Sequence, residues 1–380
     1  MRFSPEPAPN SNRPSSIDAH VAVACAPPRF RVTKVLELPI SLGSSHISIT
    51  DGRALSEASQ TQTMNDAERI PRTANPVALS PTARKKDASR LRREAALALR
   101  GSMTPRVPDP AVLRIATWNL NSFKSRANAV GRLIDRARPD ILLLQETKSR
   151  SVHPDAQRIL DDRGYHVAHI GNGPYNGVAI AALVPLNDVE QSGAFDDDAL
   201  DREPRLISAV IESELGPIRL VSVYVPHGRE VGHWHYEYKL AFLEALRRRV
   251  AIWLASGHLV LGGDVNVAPT DSDIFHPDAF VGLTHVTAAE RDALAAVLEE
   301  GLIDLDACRW GAHERRFTWW NHGFNYPRNL GMRIDILAAD AALATQLETT
   351  WIDHAERGAE RPSDHAALLA DLRCPPATQR

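Results

Sequence analysis

Cysteine is scarce, with three in 380 residues at Cys25, Cys308 and Cys374. So few, so far apart, exclude a disulfide framework or a cysteine-based zinc site and suit a reducing, cytoplasmic compartment. No run approaches the ~18–20 uninterrupted apolar residues of a membrane-spanning helix, so none is expected. Aromatics are missing from the first 110 residues: all seven Trp and six Tyr lie beyond them, and only Phe3 and Phe30 of nine Phe precede. A segment so poor in large apolar side chains cannot build a core, and stretches such as Pro7 to Ser16 resist regular structure.

Charge divides the chain at the same place. Residues 1–110 carry 16 basic and 10 acidic groups, a net of +6, whereas the remainder carries 28 and 37, a net of −9. Val32 to Ile40 could form one strand but has no obvious partner, and Arg84 to Arg100 has the composition of a basic helix. Met1 to Pro14 lacks the apolar stretch of a secretory peptide, and Glu6, Asp18, Glu37 and Asp51 are foreign to a transit peptide. Residues 1–110 read as a disordered extension or an over-extended start, with Met103 as an internal alternative. Residues 111–374 read as one catalytic domain and 375–380 as a tail.

Within that domain, strands and helices alternate. Strands are expected at Leu113–Trp118, Ile141–Gln145, Tyr165–Ile170, Gly177–Val184, Leu206–Glu212, Ile218–Val225, Leu259–Gly262, Phe317–Trp320, Ile334–Ala338 and Ala366–Leu372. Helical spacing covers Ala129–Ala137, stopped by Pro139, then His153–Asp162, Tyr238–Leu254 and Ala288–Glu300. Several strands follow one another without a helix between, unlike a doubly wound sheet. Two mixed sheets packed face to face and flanked by helices, a four-layer α/β/β/α sandwich, satisfy the pattern.

Polar residues repeatedly end apolar runs. Asn119 and Asn121 follow RIATW, Gln145 and Glu146 follow ILLL, Tyr224 sits in VSVYVP, and Asp264 and Asn266 follow LVLGG. Asp335 lies in RIDIL, and Ser363, Asp364 and His365 precede AALLA. One Asp after a strand is usually a turn or a cap. Six such positions in one domain indicate a site where strand ends converge. Their oxygens are hard ligands suited to Mg²⁺ or Mn²⁺, and an adjoining Asp and His suit acid–base work.

RIATWNLNSFKSR (Arg114–Arg126), PDILLLQETK (Pro139–Lys148), GGDVNVAPTDSDIF (Gly262–Phe275), FTWW (Phe317–Trp320), GMRIDIL (Gly331–Leu337) and PSDHAAL (Pro362–Leu368) occur in that order. Together they resemble the exonuclease III / AP endonuclease family of the endonuclease/exonuclease/phosphatase superfamily, over about Leu113 to Leu372. The resemblance implies a Mg²⁺- or Mn²⁺-dependent phosphodiesterase on double-stranded DNA. It would cut 5′ to abasic sites, with 3′→5′ exonuclease or 3′-end-processing activity, and act as a monomer.

It also implies roles. Glu146 is the metal-binding glutamate, with Asn119 beside it and Asn121 assisting at the substrate. Tyr224 contacts the scissile phosphate. Asp264 activates water or protonates the leaving oxygen, Asn266 binds a phosphate oxygen, and Asp335 orients His365, which contacts the phosphate. Asp364 is a further metal-site carboxylate, and Asp264, Asn266 and His365 border the same ion. Trp319 and Met332, with Trp320 nearby, fall where the family forms a small apolar pocket for a flipped-out baseless sugar. The other reading of the two Trp is plain core.

Three further readings need the structure. His227, His233 and His235 invite a zinc site through His-x-His, but no third ligand stands nearby and a surface or substrate-side loop is preferred. The net of −9 opposes DNA binding unless Arg126, Lys148, Arg205, Arg229 and Arg333 make the active face locally positive, with Arg205 and Arg333 touching substrate. A superfamily enzyme on a phospholipid head group or inositol phosphate, or an inactive DNA-binding adaptor, are the alternatives.

Overall fold

Strand β1 (Val112–Asn119) is buried from Arg114 to its end, so its residues meet protein on both faces, as a central strand requires. The computed structural model describes residues 111–191, 194–311, 315–321 and 324–374, and the expectations for residues 1–110 and 375–380 lie outside these. After β1, helix α1 (Phe123–Ala137) packs an apolar face on the sheet and ends at Arg138, left-handed at φ 48°. Pro139 follows and prevents continuation. The chain then returns as β2 (Ile141–Gln145), parallel to β1, with Asn119 beside Gln145.

The same unit recurs. Strand β7 (Ile218–Tyr224) leads through a long helix (Trp234–Leu254) to β8 (His258–Asp264), parallel to β7, with Tyr224 beside Asp264. A helical crossover is what a parallel pair needs, and antiparallel hairpins supply the rest. The intervening elements are α2 (Pro154–Asp161), β3 (His166–Ile170), β4 (Val178–Ala182), β5 (Asn187–Glu190) and β6 (Leu206–Ile211), which makes the long helix α3. After β8 come α4 (Ala288–Glu299), β9 (Leu302–Asp304), α5 (Leu305–Trp310), β10 (Asp335–Asp340), α6 (Ala341–Ala344), β11 (Leu347–Asp353) and β12 (Ala367–Arg373).

Two six-stranded sheets result, ordered β11-β12-β1-β2-β4-β3 and β5-β6-β7-β8-β10-β9. Ile115, Leu143, Ile180, Leu220, Val260, Leu337 and Leu368 fill the space between them. Outer layers follow: Trp118, Leu133, Leu142 and Leu160 under α1 and α2, and Phe242, Leu246, Leu261 and Leu294 under α3 and α4. At ~1.5–3 kcal/mol per fully buried aliphatic side chain, these three layers dominate the stabilisation. This is the expected four-layer sandwich.

One expected strand is absent. Phe317–Trp320 is not a strand; Trp319 makes isolated bridges to Met332 and His365. Its neighbour Thr318 turns its hydroxyl inward to accept from the Ile334 and Asp335 amides. The segment is therefore a brace for β10 rather than a ladder strand.

Candidate active site

Topology alone gathers the polar strand ends. Asn119 and Gln145 close one parallel pair, and Tyr224 and Asp264 close the other, so all four lie at carboxyl ends of parallel strands. Strand β10 runs antiparallel to β8 and starts there, with Asp335 opposite Asp264. Strand β12 runs antiparallel to β1, so His365, two residues before it, arrives at the same end. Gly262 and Gly263 allow the close approach: a Cβ on Gly263 would lie 1.9 Å from the Val223 carbonyl oxygen, and one on Gly262 would lie 2.6 Å from Leu143.

A line of hydrogen bonds and one ion-pair contact crosses the site. His365 Nδ1 lies 2.8 Å from Asp335 Oδ2, and its Nε2 faces Asp264 Oδ2 at 3.7 Å. Asn119 Nδ2 donates to Asp264 Oδ2 at 2.8 Å and to Glu146 Oε1 at 2.9 Å. Lys148 Nζ closes the far end on Glu146 Oε2 at 2.6 Å and donates to Asn121 Oδ1, while Asn121 Nδ2 donates to Asp364 Oδ1 at 2.9 Å. Asn266 donates its amide N–H to Asp264 Oδ1 at 2.9 Å, and its side chain to the Val225 carbonyl. Ser363 ties the assembly down by donating to the Asn119 carbonyl at 2.7 Å. Asn121, Glu146, Lys148 and Asn266 all adopt positive φ near 50°, which costs a non-glycine residue on the order of 1 kcal/mol or more.

Burial in this crowd reshapes the acid–base groups. Burial pushes Asp264 up to about 7; the His365 cation opposes this, and the Asp335 and Glu146 carboxylates reinforce it. Burial pulls His365 down, but Asp335 and Asp264 outweigh it and hold the imidazole up to about 10. Glu146 is also buried, yet the Lys148 ammonium and Asn119 amide keep it below its ordinary value. Burial, with Glu146 and Asp264 nearby, drives the Tyr224 phenol well above its usual range, so it stays a neutral donor.

The donor set fits a hard divalent cation. Among the described residues, four carboxylates (Glu146, Asp264, Asp335, Asp364) meet two cationic groups in direct contact, Lys148 and His365. Asp335 Oδ1 is buried without a hydrogen-bond partner among the described residues, and oxygens of Asp264 and Asp335 lie within 4.8 Å of one another and of a His365 nitrogen. Oxygen ligands with surplus negative charge suit a hard cation better than a soft one.

The model of the endonuclease/exonuclease/phosphatase family matches residues 116–365, from β1 through the histidine of the site. The chain belongs to that family. Exodeoxyribonuclease III of Haemophilus influenzae is 26% identical over 274 residues, 69% of this chain and all of that protein. An AP endonuclease structure from Archaeoglobus fulgidus superposes with a TM-score of 0.64 at 34% identity, covering 68% of this chain and 99% of that one. A 3′ phosphatase from Neisseria bound to a product DNA hairpin gives 0.64 at 32%, with coverage of 68% and 99%. This endonuclease/exonuclease/phosphatase family member is thus a phosphodiester hydrolase whose family is metal-dependent.

Two residues expected at the substrate of this family domain lie elsewhere. Arg333 is only 4% exposed. Its guanidinium is spent on Asp273 at 2.6 Å and Asp304 at 2.5 Å, so it ties the 3₁₀ turn Asp271–Asp273 to the end of β9. Arg205 is also buried, paired with Glu203 and stacked 4.8 Å from the Tyr224 ring centroid, so it braces the tyrosine ring. Replacing Arg333 by Met leaves two acids without their cation, and the expected cost is about 3–5 kcal/mol in urea unfolding. KM for DNA at a temperature where the variant is folded should stay within ~2-fold; a large rise in KM would restore Arg333 to the substrate face.

The remaining expectations divide. Trp319 donates to Asp364 Oδ2 at 3.0 Å and borders an apolar cluster of Ala268, Ile274, Met332 and Ile334, with Phe280 and Val286 beside it. Trp320 is fully buried core against Tyr326. Of the three histidines in PHGREVGHWH, His233 caps α3 and His235 Nδ1 accepts from the Gly228 amide, and the metal-ligand cluster found among the described residues includes none of the three. Of the loop cations, Arg229 is exposed, while Arg126 bonds the Asn121 and Pro362 carbonyls. Sequence reasoning missed Lys239, His285 and Glu290, which pack directly behind Asn266.

Proposed function

We propose that this chain is a DNA repair phosphodiesterase that uses Mg²⁺ or Mn²⁺ to incise 5′ to abasic sites and to trim 3′ ends. The observation that carries the reading is the buried Asp335–His365–Asp264 line continued through Asn119 to Glu146. It holds a weakly acidic carboxyl, a cationic imidazole and a neutral amide around one point, which is what attack on an anionic phosphodiester demands.

Asp264, raised to about 7 by burial, is poised to take a proton from the attacking water or return one to the leaving oxygen. His365, kept cationic by Asp335, offers positive charge to the phosphate as it gains negative charge. Tyr224 and Asn266 add neutral donors that bind phosphate oxygens without further carboxylate repulsion. Glu146 and Asp364, on either side of Asn119 and Asn121, are the carboxylates that would hold the ion. When bound, a divalent cation supplies Lewis acidity to the phosphate and the leaving 3′ oxygen.

Trp319, packed over the buried Met332 and donating to Asp364, is the partly exposed edge of the apolar cluster, and this edge would receive the sugar. A site too narrow for a base selects a baseless nucleotide, whose unstacking also costs less. The decisive assay is cleavage of a labelled duplex carrying one abasic-site analogue, with Mg²⁺ and with EDTA. Incision 5′ to the lesion is expected with the ion and none with chelator. Metal-dependent digestion from 3′ ends without internal incision would remove the abasic specificity. Inertness on DNA in every metal would remove the substrate class and favour a different phosphate ester.

A further inference from the structure

Lys239 on α3 is 0% exposed, an unusual place for an ammonium. A buried pair of opposite charges seldom stabilises more than apolar side chains of the same size, so its presence calls for another reason. Its partner Glu290 on α4 is equally buried, with Oε1 2.5 Å from Nζ. Glu290 Oε1 also accepts from the Thr284 hydroxyl and the His285 amide, which ties this cluster together. The second proton of Nζ is directed 2.7 Å onto the backbone carbonyl of Asn266.

A second donor meets the same carbonyl. His285 Nδ1 lies 2.5 Å from it, and because a carbonyl only accepts, that nitrogen carries the proton and Nε2 is bare. His227 Nδ1 accepts the Arg229 amide N–H at 3.0 Å, so its own proton sits on Nε2, 3.3 Å from His285 Nε2. Every donor in this chain points inward, from the loop through two imidazoles to residue 266. Asn266 is held at φ 52°, and its own N–H is the donor to Asp264 Oδ1.

We infer that Lys239, backed by Glu290, is a positioning residue for hydrolysis: it fixes the left-handed turn at Asn266 and, through the Asn266 N–H, the Asp264 carboxylate. The inference rests on the proposed site, in which Asp264 and Asn266 face the phosphate. Lys239 touches no reacting atom, so its loss should appear in kcat and not in KM.

The test pairs two variants. In Lys239→Met/Glu290→Met the ion pair is replaced by apolar side chains of similar length, which removes one of the two donors to the Asn266 carbonyl without leaving a lone buried charge. Its kcat on the abasic duplex is expected to fall ~10–100-fold, as displacements of about 1 Å in a catalytic group do, with KM within ~3-fold. In Glu290→Gln the amide oxygen still accepts from Thr284 and His285, while the Thr287 N–H loses its acceptor. The amine still donates to Asn266, so kcat should stay within ~3-fold even where the melting temperature drops. A double variant with the wild-type kcat overturns the inference. So does a Glu290→Gln enzyme whose kcat falls tenfold while folded, and this arm decides the matter if the double variant does not fold. Asp264→Asn, run in parallel, separates the two levels: if that enzyme remained fully active the site reading would fail first, whatever Lys239 does.

Discussion

Asp264→Asn is expected to lower kcat on an abasic duplex by about 10²–10⁴-fold, the range for removing a positioned acid–base group. The substitution keeps the shape of the side chain and removes its ability to gain and lose a proton. The carboxylate accepts from two donors, the Asn266 amide and the Asn119 side chain. An amide oxygen in its place can serve only one of them, so a loss of about 1 kcal/mol in stability is expected. Burial already opposes the charged carboxylate and pushes Asp264 up to about 7, so removing that charge offsets part of the loss. The combination to look for is an unchanged circular dichroism spectrum, a melting temperature within a few degrees of wild type, and activity near background at saturating Mg²⁺. An Asp264→Asn enzyme with a tenth or more of the wild-type kcat would move the acid–base role to another group.

Much of the site was legible because it follows strand ends. The apolar runs RIATW, ILLL and LVLGG mark buried central strands, and the polar residue ending each is placed by the parallel pairing of β1 with β2 and β7 with β8. Ser363 was readable only as part of SDH, but its hydroxyl on the Asn119 carbonyl gives that triplet a mechanical reason. Elements without an apolar run escaped: β11 (LETTWID) buries Thr349 and Thr350 in place of aliphatics, and β5 (NDVE) is an exposed edge.

Ion-pair partners escaped as well. Nothing near Arg333 in sequence announces Asp273 and Asp304, so an arginine beside a catalytic strand looked like a DNA contact. Lys239 lies in the helix expected at Tyr238–Leu254, and nothing near it in sequence marks it, since its acid lies fifty-one residues away. Periodicity records which face of an element is buried on average. It is silent about one charged residue buried on that face with a distant partner.

The second large effect belongs to Asp335→Asn. His365 owes its position and its charge to this carboxylate, through the 2.8 Å contact to Nδ1. With an amide there, burial pulls the imidazole down against Asp264 as its main remaining partner, and it becomes neutral within the working pH range. A loss of about 10²–10³-fold in kcat is expected near pH 8, comparable to deleting one transition-state donor. The pH profile supplies the signature. Wild type should lose activity below about 7 as Asp264 protonates, and on the alkaline side only toward about 10, where His365 deprotonates. In Asp335→Asn the alkaline limb should move down by at least one pH unit; an unmoved limb would mean that Asp335 does not govern the imidazole. Stability should follow the same groups. The His365 pKa is raised above its unfolded value of about 6.5, so its contribution is complete below that pH and lost as pH rises through about 10. Asp264 is raised from about 3.8, and its contribution is lost as pH rises toward about 7, which has the same sign. With EDTA present, the wild-type melting temperature should therefore fall steadily from pH 6 to pH 9, and Asp335→Asn should flatten the upper half of that slope.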